Sequence, residues 1–377
     1  MKAAPEQPPR GPAAFESEEP EALQAQAAIL LSVAAQLRGD RAAVQARSAA
    51  AAAPVDMLQA EILDEFPIPR LGPPGQRMSR GQAMAAAGAR GRKAGAAEAK
   101  AAKPADLAAL AEHLYERPST SSAAALSHAS LRHPHALVRV AAANAALAVT
   151  TEPKEPYRVL VEGTRYKDEL VRDVAATSLA RYRPDDPALT ALVVEPRAPR
   201  KGTAETSTLV HGTFAANGTW WRPNGDFWRY VDAKVWDDLY DRNDFYKWSG
   251  GYSDGARDQG ADLLAAWMNR HSADGLSLMA HSHGTSVTML ASWRGVHFGR
   301  VVFLSSPVHP AKYRMNFAAV QKVVSIRVKL DLVLLADGSG ARFNDARYNE
   351  HVLPIWFNHS ATHDPDVWRK HNIPALL

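Results

Sequence analysis

Apolar residues are spaced differently in the two halves of the chain. Val138, Ala141, Ala142, Ala145 and Ala146 fall at i, i+3, i+4, i+7 and i+8, and Val171, Val174, Ala175, Ser178 and Leu179 repeat that stripe. Each stripe predicts an amphipathic helix. From 206 onward, short unbroken apolar runs ("TSTLVHG", "LSLMAHS", "RVVFLSS", "KVVSIRV", "HVLPIWF") alternate with helical stretches such as "ARDQGADLLAAWMNR" and "GTSVTMLASW". Unbroken apolar runs mean strands buried on both faces. Their alternation with helices predicts an α/β fold, with a mostly parallel sheet covered by helices. Upstream, "EALQAQAAILLSVAAQL" and "VDMLQAEILDEF" predict two more helices. The expected organisation is a disordered, Pro- and Glu-rich tail (1–20), a helical segment (21–66), a linker (67–104), an all-α region (105–195) and an α/β domain (206–377).

The two stripes belong to one unit written twice. "LVRVAAANAAL" (137–147) and "LVRDVAATSLA" (170–180) align with Val138 and Val171 33 residues apart (171 − 138). Their alanines permit close helix approach. A period of this length, with Val-Arg followed by Ala-Ala, resembles HEAT or armadillo helical repeats. Two units are few for a free-standing solenoid. The resemblance therefore implies that they pack against a neighbouring domain, a protein partner or another copy of the chain.

Composition narrows the chemistry. There is no cysteine, which removes disulfides, thiolate metal sites and a cysteine nucleophile. A formal charge of +4, dispersed along the chain, is too small to point to nucleic acid. The N-terminus lacks the apolar core of a signal peptide, and the run 27–37 is too short to span a membrane. A cytoplasmic location without a membrane span is the expectation. All nine tryptophans lie beyond residue 219, so the two halves have cores of different kinds.

"LMAHSHGTSV" (278–287) sets Ser282 between a predicted strand and a predicted helix, near the C-terminal edge of the sheet. A sharp turn there needs small residues two before and two after the serine, and Ala280 and Gly284 satisfy this. Two other readings stand beside it. His281 and His283 form a His-X-His pair able to grip an ion, although "GTSV" supplies no further ligand. The segment also fits an ordinary corner without chemistry.

Order along the chain favours the turn that exposes a nucleophile. "TLVHGT" (208–213) ends an upstream strand in His-Gly; Asp331 follows a later strand, and His359 follows the last. Asp337 is an alternate acid, but "ADGSG" has turn chemistry. His363 is an alternate histidine, next to the helix that Asp364 caps. With its serine–aspartate–histidine order, 206–377 resembles an α/β-hydrolase of the lipase and esterase group, similar to minimal bacterial lipases. Ala280 stands where that family usually has glycine.

The resemblance implies roles. Ser282 would be the nucleophile, His359 the base and Asp331 the residue that orients it; the backbone N–H groups of Thr213 and His283 would face the developing oxyanion. The implied reaction is cleavage of a carboxylic ester of a small molecule through an acyl-enzyme, with no cofactor and no metal. Amidase, thioesterase or acyltransferase chemistry uses the same triad. A catalytically idle fold that serves as a scaffold is the alternative outside enzymes. The aromatic stretch 214–252 follows the His-Gly strand, so Phe214, Trp220 and Trp221 are expected at the substrate, or else packed against the sheet. Ser249 and Ser253 are read as turn or capping residues.

Overall fold

The computed structural model describes residues 7–39, 65–72, 75–86, 103–194, 207–339, 342–343 and 345–377. The chain divides into two compact units, Met1–Arg183 with Leu332–Ala341, and Pro184–Asp331 with Arg342–Leu377. Among the described residues, no helix is long and apolar enough to cross a membrane.

The first unit is helical: α1 (Pro20–Arg38), α2 (Arg80–Ala86), α3 (Pro104–Glu116), α4 (Thr120–Ser130), α5 (Ala136–Val149), α6 (Lys154–Gly163) and α7 (Glu169–Tyr182). Caps set the helix starts. The Ser119 and Ser122 hydroxyls close a capping box on α4, and the Asp168 carboxylate accepts from the Val171 N–H of α7 at 3.0 Å. The repeated stripes lie on α5 and α7, which pack together. Their buried faces are joined by the Asn144 side-chain amide, which donates to the Ser178 hydroxyl at 2.6 Å. Small residues let α6 come close: a Cβ on Gly163 would lie 2.6 Å from Ala175 Cβ and 2.8 Å from Val140 Cγ2.

Two expectations about the N-terminal third are corrected. From residue 7 the segment read as a disordered tail is ordered, with a 3-10 turn over Gly11–Glu16. Phe15 and Ala14 are buried, and the buried Gln26 amide donates to the Ala14 and Ser17 carbonyls. Anchoring by one aromatic ring and one amide outweighs a polar composition. The stretch read as linker is also packed in part. Gln36 bonds the Pro69 carbonyl and the Leu71 N–H, and Met78 pairs with the backbone at Val149 and Thr151. The predicted helix over 55–66 lies outside the described residues except for its last two positions.

The second unit holds a five-stranded parallel sheet in the spatial order β1 (Thr208–Val210), β2 (Leu276–His281), β3 (Phe298–Leu304), β4 (Val320–Lys329), β5 (Tyr348–Trp356). Strands that follow one another in sequence are therefore neighbours, and all end at the same edge. Both faces of β1–β4 are buried where their apolar runs lie, whereas β5, at the edge, is mostly half-buried or exposed, against the expectation for its run. Leu278, Val301 and Val323 stand side by side and face one core; Met279, Val302 and Val324, one residue on, face the other. α9 (Asp254–Arg270) and α10 (Gly284–Ala291), in the connections from β1 to β2 and from β2 to β3, help to fill the first core. α8 (Asp226–Lys234) and α11 (Pro365–Lys370) help to fill the second.

Candidate active site

Four successive strands leave the sheet at its C-terminal edge through a left-handed residue that is not glycine: Ser282 (φ 52°), Ser305 (φ 47°), Leu330 (φ 45°) and Phe357 (φ 70°). Each such residue costs about 1–2 kcal/mol and persists only where its surroundings hold it. At Ser282 the backbone N–H is held by the Leu304 carbonyl at 2.8 Å, and α10 begins two residues later. The turn is tight enough to demand glycine two residues after the serine and in the loop that faces it. A Cβ on Gly212 would lie 2.6 Å from Ser282 Cβ, and one on Gly284 would lie 2.6 Å from the His211 carbonyl oxygen. A buried left-handed serine at the end of a buried parallel strand is thus built into the fold.

His359 opens a 3-10 turn, His359–His363, just beyond β5. Its Nδ1 lies 2.7 Å from Asp331 Oδ2, and both side chains are 2% exposed. A carboxylate only accepts, so Nδ1 carries a proton, and in the neutral ring the lone pair is on Nε2. Asp331 follows the left-handed Leu330 at the end of β4. The alternate acid, Asp337, ends the short helix Leu332–Asp337, which belongs to the helical unit. The alternate histidine, His363, is stacked face to face on Trp220 at 4.0 Å. Burial, and then the charge of His359, hold its pKa down at about 3, so it is neutral at pH 7.

His359 sits beside the serine strand. Its ring is 4.5 Å from that of His281, whose Nε2–H donates to the His359 carbonyl at 3.4 Å. Burial and the two neighbouring histidines push His281 well below the usual imidazole range. His283, on the other side of Ser282, has different neighbours. Its Nδ1 lies 3.2 Å from the Ser286 hydroxyl, and its ring stacks on His309 and meets the edge of Tyr252. The two flanking imidazoles therefore serve separate clusters.

His211 fixes the loop opposite the serine. Its Nδ1–H donates to the Gly212 carbonyl at 2.8 Å. That peptide is trans, so the Thr213 N–H is turned away from the carbonyl that His211 holds. The His211 ring lies between Trp221 and Trp248, and burial lowers its pKa to about 3.

The aromatic stretch packs mostly inward. Trp221 is 2% exposed, with its Nε1–H on the Ala215 carbonyl at 3.0 Å, and Trp220 is wedged between His363, His281 and Phe227. These two rings pack against His363, His281 and His211. Phe214 is buried as well, left-handed at φ 61°, and stacked on Tyr252. The Ser253 hydroxyl caps α9 and that of Ser249 accepts from Gly251.

Several residues around the site are absent from the sequence reading: Thr285, Ser305, Ser306, Arg327 and Thr362, all in the hydrogen bonds described below. A doubled serine closing a strand ("FLSSP") was the only signal available for them.

No protein-family model matches the chain, and no curated protein matches it. Among solved structures it is similar to an extracellular α/β-hydrolase from a Paenibacillus species, described as sharing structural and functional homology with tobacco salicylic acid binding protein 2. The identity is 19%, with 28% of this chain and 42% of that chain covered and a TM-score of 0.21. The match thus spans less than half of that protein, and a likeness at this level carries no argument about function.

Proposed function

We propose that the second unit is a serine hydrolase of the α/β-hydrolase kind that cleaves carboxylic esters. The observation that carries this reading is the buried 2.7 Å bond between Asp331 and His359, set beside a left-handed Ser282 at the same sheet edge. A serine hydroxyl is a poor nucleophile at neutral pH. In the neutral ring the bond to Asp331 fixes the proton on Nδ1, so Nε2 is the nitrogen that takes the Ser282 proton as the oxygen attacks an acyl carbon. The resulting imidazolium is stabilised by the Asp331 carboxylate and returns the proton to the leaving alkoxide. Water repeats the sequence on the acyl-enzyme.

The developing oxyanion would be met by the N–H groups of Thr213 and His283. The Gly212 peptide held by His211 supports the first, and the start of α10 supports the second. Fixed donors of this kind lower the barrier by about 3–4 kcal/mol each. Phe214 and Tyr252, stacked beside that loop, are the rings we assign to the substrate. For the helical unit we propose a HEAT-like, partner-binding role, supported by the repeated stripe and by its small-residue packing.

A panel of p-nitrophenyl esters from acetyl to palmitoyl tests the reading, with a matched anilide and thioester beside it. The expected outcome is ester turnover that Ser282→Ala abolishes. Turnover of the anilide or thioester alone would reassign the reaction while keeping the triad. Turnover that survives in Ser282→Ala would reject the site.

A further inference from the structure

Ser305 and Ser306, adjacent at the end of β3, bond in two directions. The Ser305 hydroxyl donates to the His359 carbonyl at 3.1 Å, and the Thr362 hydroxyl lies 3.2 Å from Ser305 Oγ and 3.3 Å from the same carbonyl. The Ser306 hydroxyl lies 2.7 Å from that of Thr285, which donates to the Ser282 carbonyl at 2.7 Å. The Ser306 carbonyl in turn accepts from Arg327 Nη2 at 2.6 Å. Arg327 lies on β4, four residues before Asp331, and pairs with the buried Glu350 at 3.1 Å. Both serines are fully buried. One dipeptide therefore bonds the backbone of the base loop directly, the backbone of the serine turn through Thr285, and the strand that leads to the acid through Arg327.

We infer that Ser305–Ser306 is a positioning element that sets the distance between the Ser282 hydroxyl and the His359 imidazole; this rests on the hydrolase reading above. Neither serine touches substrate. Ser305 holds the base by its carbonyl and Ser306 holds the nucleophile through Thr285, so each acts through another residue. The backbone conformation supports the assignment. Ser305 is left-handed at φ 47°, where glycine is favoured, yet the position carries a side chain whose hydroxyl reaches the base loop.

That strain provides a test that separates positioning from folding. Ser305→Gly removes the hydroxyl while relieving the left-handed backbone. Its melting temperature should exceed that of Ser305→Ala, while kcat falls on the order of tenfold or more with KM within about twofold, because reactive geometry is lost and not binding. Labelling of Ser282 by a fluorophosphonate should slow in parallel. Ser305→Ala loses the same hydroxyl but keeps the strain, so it should match the kcat loss with a lower melting temperature. Ser306→Ala should also lower kcat, and the double variant should lose less than the product of the two losses, since both act on one distance. Wild-type kcat in Ser305→Gly, or a kcat loss that tracks melting temperature across the three variants, overturns the inference while leaving the hydrolase reading intact. A wild-type protein that takes no label at Ser282 overturns both.

Discussion

Asp331 Oδ2 lies 2.7 Å from His359 Nδ1, and 2% of either side chain is exposed. The two residues leave the sheet from neighbouring strands, β4 and β5, so the contact follows from strand order rather than from sequence proximity. Its direction has a consequence. An asparagine in place of Asp331 can turn its amide N–H₂ toward Nδ1 and stabilise the wrong tautomer. Asp331→Asn should therefore lower kcat by about 10³–10⁴ with little change in secondary structure. Ester hydrolysis and far-UV circular dichroism on one preparation check this; a loss below tenfold counts against the pair.

His359 and His363 should separate cleanly. The first bonds a carboxylate; the second is stacked on Trp220 and held neutral down to about pH 3. His359→Ala should cost on the order of 10³ or more in kcat. His363→Phe, which keeps the stack, should cost less than tenfold. Equal losses would mean that the base is assigned wrongly.

Stability should rise with pH across the mildly acidic range. In the unfolded chain the imidazoles of His211 and His363 take up protons near pH 6.5, and in the folded chain only near pH 3, because burial opposes their charge. Between these values the unfolded state binds more protons. Stability is therefore full above about pH 6.5, is lost as pH falls, and levels off near pH 3. Urea unfolding between pH 7 and pH 4 reads the slope. His363→Phe should flatten it, and an unchanged slope would deny His363 its part.

Two glycine-to-alanine substitutions should have opposite signs. At Gly284 a Cβ would lie 2.6 Å from the His211 carbonyl oxygen, so Gly284→Ala must spread β1 from the serine turn. A loss of about 1–3 kcal/mol, together with lost turnover, is expected. Gly255, in the first turn of α9, has only the Ser253 hydroxyl nearby, at 3.9 Å. Gly255→Ala should stabilise by about 0.4–1 kcal/mol. Denaturant unfolding of the pair checks both.

In the helical unit, Asn144→Ala removes the buried bond between α5 and α7 and leaves Ser178 without that donor. A cost of about 1–3 kcal/mol is expected, more than for a surface asparagine. An unchanged unfolding midpoint would show that the helices hold by alanine packing alone.

The alternation of apolar runs with helices made the parallel sheet legible, because β1, β2, β3 and the middle of β4 are buried on both faces and keep their runs apolar, whereas the edge strand β5 carries polar residues. The meeting of Asp331 and His359 was legible in the order of strand ends. Other features were not. Whether Trp220 and Trp221 line a mouth or support a histidine depends on tertiary packing that composition does not encode. The helix Leu332–Asp337 directly follows Asp331 yet belongs to the helical unit, and no local signal marks that exchange. The ordered start of the chain depends on Phe15 and Gln26, two residues in a background that reads as solvated. The serines after β3 looked like any strand end, because their partners are backbone carbonyls from distant segments.

One reactive oxygen, that of Ser282, carries the proposed chemistry. Treatment with a fluorophosphonate, followed by peptide mass spectrometry, should place a single adduct on Ser282, with none in Ser282→Ala. A wild-type chain that stays unmodified, or an adduct on a different serine, would contradict it.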